Sequence, residues 1–234
     1  MDYVLYVLFL LAIVISLVAQ IRVSSTFRRF SRVKTASGRR AEEVALEMLR
    51  SAGIYDVRVE RIRGNLTDHY DPSARVLRLS ETVYGESSAA AVGVAAHEAG
   101  HAIQHATAYG PLQLRTSLVP ITGFASKTSW ILILIGSLIM SAAGIFDGTG
   151  YYLMLAGVGL FSVTTLFQLV TLPCEFDASR RALVAMEGMG YYSARELSES
   201  KKVLSAAAMT YVAGLLVSVL QLLRLLLMLR RNDR

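Results

Sequence analysis

Four long apolar segments without a charged side chain constrain this chain more than any other feature of its sequence. A helix of about 20 residues spans the hydrocarbon core of a bilayer, which is roughly 30 Å thick. The uncharged runs are Tyr3–Ile21, Thr128–Phe146, Gly148–Cys174 and Val203–Leu223. One such run also fits a buried helix of a soluble protein. Four of them in 234 residues, 53% of which are hydrophobic, predict a mainly α integral membrane protein with about four transmembrane helices.

A basic cluster directly after the first run predicts the orientation of the chain. No basic segment precedes this run, as it would in a secretory signal peptide, so we interpret the run as a retained anchor. Seven Lys and Arg residues follow within residues 22–40. The positive-inside rule assigns this flank to the cytoplasm, which leaves the amino terminus outside. The polar segment 22–127, which holds all four histidines, then faces the cytoplasm.

The second and third runs predict a transmembrane hairpin. The short loop 146–150 between them has no Lys or Arg and suits the outside. The chain therefore returns to the cytoplasm at Pro173, on the same side as the histidines. The last segment, 203–234, either spans the membrane or lies along its cytoplasmic surface, because Arg224 interrupts its apolar run.

The net charge of +6 indicates contact with anionic lipid rather than with nucleic acid. The basic residues are concentrated beside predicted membrane segments, and the sequence contains no nucleic-acid-binding motif. We therefore expect the lipid bilayer as a partner and no nucleic acid. Protein partners and oligomeric state do not follow from these residues.

The polar segment contains the motif His97-Glu98-Ala99-Gly100-His101. On a helix, two histidines four residues apart lie on one face about one turn apart, close enough to bind a single divalent ion. The carboxylate after the first histidine is placed to act as a general base toward water. The motif therefore predicts metal-dependent hydrolysis.

The sequence around the motif predicts the helix that the motif requires. Ser87-Ser88 can cap a helix, and the alanine-rich residues 89–96 continue it into the motif. The run ends near Tyr109-Gly110-Pro111. The small side chains predict a helix buried on nearly every side, which would hold a metal rigidly.

A catalytic zinc site needs a third protein ligand, and the spacing leaves two interpretations of Glu175 open. In one, Pro173 starts a second helix that carries Glu175 to the two motif histidines. In the other, Glu175 is a glutamate favoured by the dipole at a helix start. Asp177 is a rival carboxylate that projects to a different face.

Neither histidine outside the motif is expected to bind the metal. His105 lies roughly 12 Å along the helix axis from His97, so we expect it either to contact a metal ligand or to pack beside the site. His69 lies in the turn-rich polar segment 66–72 and is a candidate for contacting a metal ligand or the substrate.

These residues resemble a known family. The motif, followed after the predicted hairpin by Glu175-Phe-Asp-Ala-Ser-Arg-Arg-Ala, is similar to gluzincin-type membrane metallopeptidases, and specifically to the bacterial YugP-like neutral zinc metallopeptidases, relatives of the HtpX type. The resemblance covers nearly the whole chain. It implies a zincin-like α+β catalytic domain that binds one zinc ion through His97, His101 and Glu175. It also implies that Glu98 is the catalytic base and that the substrate is a polypeptide. The orientation predicted from the charge pattern then places the cleavage at the cytoplasmic membrane face.

The resemblance is incomplete at Ser179. The HtpX-type pattern has an aspartate four residues after the third ligand, and that aspartate is commonly assigned to orienting a histidine. A hydroxyl can also accept a hydrogen bond from an imidazole N–H, but more weakly.

Peptide hydrolysis further needs a donor for the developing oxyanion. The chemically suitable residues are His69, Arg180, Tyr191 and Tyr192, and their spacing selects none of them.

Alternating apolar and polar residues predict strands at Val57–Arg63 and Arg75–Ser80, with a turn signal at Asp71-Pro72-Ser73. One strand either pairs with an extended substrate, as the resemblance implies, or merely covers the helix.

The expected organisation is an anchor (1–21), a catalytic domain (22–127), a transmembrane hairpin (128–172), a helix with the third ligand (173–202) and a last transmembrane or membrane-associated helix (203–234).

Three other functions fit this sequence less well. A non-catalytic, zinc-stabilised membrane scaffold or adaptor protein is the main alternative, but it would not need Glu98 and would favour a fourth protein ligand. A site-2-type protease takes its third ligand from an aspartate in a membrane segment, whereas Asp147 lies in the predicted outer loop. A transporter would carry several charges deep in its spans, and only Arg224 qualifies.

Overall fold

The computed structural model describes residues 2–142 and 148–232, which are mainly helical with one small sheet. The elements in chain order are α1 (Asp2–Phe30), α2 (Ala41–Ser51), β1 (Arg58–Ile62), β2 (His69–Asp71), β3 (Val76–Ser80), α3 (Ala89–Ala106), α4 (Gly110–Ala142), α5 (Gly148–Gly188) and α6 (Ala194–Asn232). The predicted mainly helical class is confirmed.

Within the described residues, four helices are long and apolar enough to cross a membrane. They are α1, α4, α5 and α6. Helices α1, α5 and α6 each contain one of the predicted apolar runs, and α4 contains residues 128–142 of the second run. All four extend well beyond these runs: α1 continues to Phe30, α4 already begins at Gly110, and α5 continues to Gly188. Helix α6 extends beyond its run at both ends. Residues 143–147 lie outside the described residues, and so does Arg234. They include the last four residues of the second run and Asp147 of the predicted outer loop.

The structure corrects the predicted helix start at Pro173. Helix α5 continues through Pro173 to Gly188 instead of beginning a new helix there. Proline removes one backbone hydrogen bond from a helix, but packing around neighbouring turns can hold the helix together. Thr171 and Cys174 on either side are buried, which supports both turns. Glu175 therefore lies in the middle of a long helix.

One compact unit comprises the described residues of Met1–Val18, Leu114–Thr171 and Tyr211–Arg234. Its buried core consists of Ile133, Met154, Val158, Phe161, Leu225 and Leu229. Glycine lets α4 and α5 approach closely, since a Cβ on Gly157 would lie 2.9 Å from the carbonyl oxygen of Ser129. Such contacts through small residues are typical of helix pairs in membranes.

The second compact unit, Ala19–Gln113 and Leu172–Thr210, contains the sheet. The strand order is β1-β3-β2, with β1 parallel and β2 antiparallel to β3. Strands β1 and β3 confirm the two predicted strands. Strand β2 was not predicted, because three residues are too few to show alternation and its flanks favour turns. The predicted turn at Asp71-Pro72-Ser73 therefore joins β2 to β3, and the Asp71 carboxylate caps it by accepting from the backbone N–H of Ser73 at 3.0 Å.

Helix α3 runs through the core of the second unit. Side chains from α2, β3 and the second half of α5 pack with it, and its alanines at positions 90, 91, 95, 96 and 99 are almost fully buried. Burial on nearly every side is what the small side chains of α3 predict. The helix is consequently held by packing along its whole length.

Candidate metal centre

Helix α3 begins where the sequence predicts. Ser88 is the N-cap, and its Oγ accepts a hydrogen bond from the backbone N–H of Ala91 at 3.2 Å. At the first residue of the helix, the carbonyl oxygen of Ala89 accepts a hydrogen bond from the hydroxyl of Ser200 in α6 at 2.8 Å. The start of α3 is thus fixed by a cap and by a neighbouring helix, which sets the rotation of the motif residues.

Three potential metal ligands converge between α3 and α5. The Nε2 atoms of His97 and His101 lie 3.2 and 3.6 Å from Oε2 of Glu175. One ligand atom from each residue falls within 4.8 Å of the other two. Glu175 is only 3% exposed, so its carboxylate is directed at the two imidazoles rather than at solvent.

The donor set and its spacing fit zinc. Two imidazole nitrogens and one carboxylate oxygen form a familiar set for catalytic zinc. Tetrahedral zinc with ligands at about 2.0–2.1 Å requires donor atoms about 3.3–3.4 Å apart, and the two observed distances of 3.2 and 3.6 Å bracket this value. Zinc bound here would be held by His97, His101 and Glu175.

A glycine inside the motif permits this arrangement. A Cβ on Gly100 would lie 2.6 Å from the carbonyl oxygen of Ala178, a distance that real Cβ atoms do not adopt. The backbones of α3 and α5 therefore touch at this position. Because Glu175 is on the turn before Ala178, the contact brings its carboxylate to the motif histidines.

Each histidine has a hydrogen-bond partner on the side away from Glu175. Nδ1 of His97 lies 3.1 Å from Oγ of Ser179, and Nδ1 of His101 lies 3.0 Å from Oε1 of Gln104. Both rings therefore direct Nε2 toward the glutamate. Partners of this kind fix the orientation and tautomer of a metal-binding imidazole.

Glu98 is buried beside the cluster but is not one of its three donors. Its Oε2 accepts a hydrogen bond from the backbone N–H of Tyr70 in β2 at 3.0 Å. Burial lowers the pKa of His101, but Glu175 and Glu98 raise it more, so that this pKa lies above its ordinary value. The carboxylate of Glu98 is thus near enough to the cluster to act on it electrostatically.

Strand β2 is anchored on both sides of Tyr70. Asp68 accepts from the backbone N–H of Ser80 at 2.7 Å and from its hydroxyl at 2.9 Å. Burial raises the pKa of the Asp68 carboxyl, and the nearby Glu98 adds to the effect. The Tyr70 hydroxyl lies 2.8 Å from Nδ1 of His105. The Asp68 contacts hold the start of β2 against β3, and the Tyr70 contact holds β2 against α3.

The histidines outside the motif do not join the three donors. His105 packs against Tyr70, with ring centroids 5.8 Å apart, as its predicted packing role requires. His69 is on β2, where its ring lies 2.9 Å from the carbonyl oxygen of Thr67 and 3.3 Å from a guanidinium nitrogen of Arg78. His69 is therefore engaged on the exposed side of the sheet.

Two residues considered as oxyanion donors are engaged elsewhere. Arg180 is largely exposed and forms an ion pair with Asp177. Tyr191 donates to Oε2 of Glu47 at 2.9 Å, and burial together with this hydrogen bond raises the pKa of Tyr191 to about 12. The rival carboxylate Asp177 pairs with Arg180 and Arg181, not with the histidines.

Sequence reasoning missed three contributors to the site: Gly100, Gln104 and Tyr70. Gln104 follows His101 by three residues and lies on the same helical face, so a buried polar residue at this spacing was a usable signal. Gly100 acts through the absence of a side chain, and Tyr70 acts through its backbone. Neither of these two effects has a sequence signature.

Comparisons with known proteins identify the family of this chain. The profile of the family described as "Putative neutral zinc metallopeptidase" matches residues 5–230. The chain is also 47% identical over 215 residues to the "Putative membrane protease YugP" of Bacillus subtilis (strain 168), and the alignment covers 91% of each chain. No solved structure matches the chain.

Proposed function

The chain belongs to the putative neutral zinc metallopeptidase family, and from this premise we propose that it is a membrane-embedded, zinc-dependent endopeptidase. In this proposal it hydrolyses peptide bonds of polypeptide substrates at the cytoplasmic face of the membrane. One zinc ion is held by His97, His101 and Glu175, and Glu98 is the general base.

The convergence of three ligand atoms carries this proposal. Residues separated by more than 70 positions in sequence bring two imidazoles and one carboxylate to spacings of 3.2 and 3.6 Å between donor atoms. Within the part of the chain that the structure describes, the cluster has three such residues. A catalytic zinc site uses three protein ligands and keeps one position for water or substrate, whereas a structural site is closed by a fourth.

The position of Glu98 supports hydrolysis rather than a scaffold. Zinc, when bound, supplies a Lewis acid that polarises the scissile carbonyl and makes water more acidic. Tyr70 holds one carboxylate oxygen of Glu98, which leaves Oε1 to take a proton from water and later deliver it to the leaving amine. A buried carboxylate next to the ligands has no comparable task in a zinc-stabilised scaffold.

We assign substrate binding to β2 among the three strands. Strand β3 lies between β1 and β2, so it has no free edge. Of the two edge strands, β2 contacts the motif directly, through the hydrogen bond from Tyr70 to Glu98. An extended peptide that adds to the edge of β2 would place its backbone along the metal ligands, and main-chain hydrogen bonds would supply much of its affinity.

The orientation in the membrane rests on charge. The seven basic residues after the first apolar run favour a cytoplasmic position for the polar segment, with the amino terminus outside. With α4 and α5 as a hairpin, the motif and Glu175 then lie on one side of the bilayer. The proposed site therefore acts on polypeptides in the cytoplasm or at its membrane surface.

The decisive experiment combines metal analysis with an activity assay on the full chain in detergent or nanodiscs. We expect one zinc per chain and hydrolysis of an unfolded polypeptide, both lost on treatment with a strong chelator and restored by zinc. A protein that binds one zinc but cleaves no polypeptide, under conditions in which a known metallopeptidase is active, would favour the scaffold instead.

A further inference from the structure

Gln104 is a fully buried glutamine between α3 and α5, and each atom of its amide has a partner. Its Oε1 faces Nδ1 of His101 at 3.0 Å. Its Nε2 donates to the carbonyl oxygen of Cys174 at 2.8 Å and to Oδ2 of Asp177 at 3.0 Å. The side chain is 0% exposed, so water does not compete for these bonds.

The partners on α5 determine which way the amide points. The carbonyl oxygen of Cys174 and the carboxylate of Asp177 both accept hydrogen bonds, so the amide nitrogen of Gln104 must face them. A flipped amide would place its oxygen against two acceptor oxygens in a buried site, which removes both hydrogen bonds and sets three partially negative atoms against one another. The oxygen of the amide must consequently face His101.

The orientation of Gln104 in turn determines the tautomer of His101. An amide oxygen can only accept, so Nδ1 of His101 has to carry the proton that it donates. Nε2, which lies 3.6 Å from Glu175, then keeps its lone pair for the metal. We propose that Gln104 is a positioning residue that holds His101 in the metal-binding tautomer, with Asp177 and the Cys174 carbonyl as its anchors.

This inference rests on the proposed zinc site and adds a role for Asp177. Arg180 and Arg181 pair with the carboxylate of Asp177 and compensate its buried charge. Because Cys174 and Asp177 flank Glu175 on α5, the same stretch of helix supplies a ligand and the anchors of Gln104. Docking of α5 against α3 therefore brings Glu175 to the site and orients His101 at the same time.

The test compares Gln104→Met with Gln168→Met in the full-length protein. Methionine has nearly the length of glutamine but makes no strong hydrogen bonds, so it removes the contacts to His101 and Asp177 with little change in volume. Gln168 is a matched control, because it lies in the first compact unit, where its amide donates a hydrogen bond to the Ser218 hydroxyl. Metal-free protein is titrated with zinc against a chromophoric chelator. We expect about 10- to 100-fold weaker zinc binding for Gln104→Met and wild-type affinity for Gln168→Met.

A second readout separates positioning from a purely structural role. Nitrogen NMR of zinc-loaded protein with labelled histidine reports which ring nitrogen carries the proton. We expect a protonated Nδ1 at His101 in the wild type, and exchange between ring states in Gln104→Met. If Gln104→Met does not fold, Asp177→Ala removes one anchor without changing α3. We expect zinc affinity to fall in this variant as well, but by less than the fall expected for Gln104→Met.

The outcomes distinguish this role from the proposed function. If Glu175→Ala loses zinc while Gln104→Met keeps wild-type affinity and the same ring signals, the role of Gln104 is overturned and the zinc site stands. If the wild-type protein binds no zinc, both fall. Weaker zinc binding together with an altered His101 signal supports the role of Gln104.

Discussion

Gly100 of α3 lies so close to Ala178 of α5 that a Cβ at position 100 would stand 2.6 Å from the Ala178 carbonyl oxygen. This contact sets the distance between the helix that carries both motif histidines and the helix that carries Glu175. Gly100, the residue directly before the second histidine of the motif, is thus under a steric constraint of its own.

Replacing Gly100 with alanine should separate α3 from α5. The added methyl group meets backbone rather than a flexible side chain, so the helices must move, at a cost of about 1–3 kcal/mol. We expect a lower melting temperature of the metal-free protein and weaker zinc binding. Gly188→Ala on α5 is the control, because a Cβ there meets nothing within 4 Å. Wild-type zinc affinity in Gly100→Ala would show that the close approach is dispensable.

Glu98→Gln should separate metal binding from catalysis. The amide oxygen can still accept the hydrogen bond from the Tyr70 N–H, and the three ligands are untouched, so zinc content should stay at the wild-type level. The loss of the base should lower kcat by about 100- to 10,000-fold. Zinc analysis and peptide hydrolysis on the same preparation check both parts. Full activity in this variant contradicts the proposed mechanism.

Glu175→Ala should weaken zinc binding and abolish hydrolysis together. Removal of this carboxylate leaves two imidazoles, which is one ligand fewer than a catalytic zinc site uses. Glu187→Ala is a matched control, because Glu187 is an exposed glutamate on the same helix. Zinc titration of the metal-free proteins should distinguish the two variants. Equal affinity in both would remove Glu175 from the ligand set.

Zinc affinity should depend on how strongly the side chain at position 179 accepts a hydrogen bond from Nδ1 of His97. Ser179→Ala removes the contact of 3.1 Å to Nδ1 of His97 and should weaken zinc binding by about tenfold. Ser179→Asp offers a charged acceptor, which forms a stronger hydrogen bond, and should bind zinc at least as tightly as the wild type. Identical affinities for all three proteins would show that this hydroxyl does not support the ligand.

Cysteine labelling should establish the orientation in the membrane. Tyr55 is 80% exposed, and Tyr3 lies at the amino-terminal end of the first apolar run. The native Cys174 is buried, so the background reactivity should be low. A membrane-impermeant thiol reagent should label Tyr3→Cys in intact cells. It should label Tyr55→Cys only after the membrane is permeabilised. The reverse pattern would place the proposed active site outside.

The helical part of the fold was readable from the sequence because long apolar runs and helix caps are local signals. The sequence predicted α3 from Ser88 onward, and the cap is present. It failed at Pro173, where a local helix-start signal was outweighed by packing on both sides. It also missed β2, since a strand of three residues depends on its pairing with β3 rather than on its own pattern.

The sequence by itself determined the family, the four apolar helices and the pairing of two histidines with a carboxylate, because each of these depends on spacing along the chain. It left Glu175 undecided between a ligand and a helix-start residue. Only the tertiary structure brought Glu175 to the histidines, 74 or more positions away in the chain. The physical reason is steric, since a glycine without a side chain lets two buried helices touch, and no local pattern encodes which helix will fill that space.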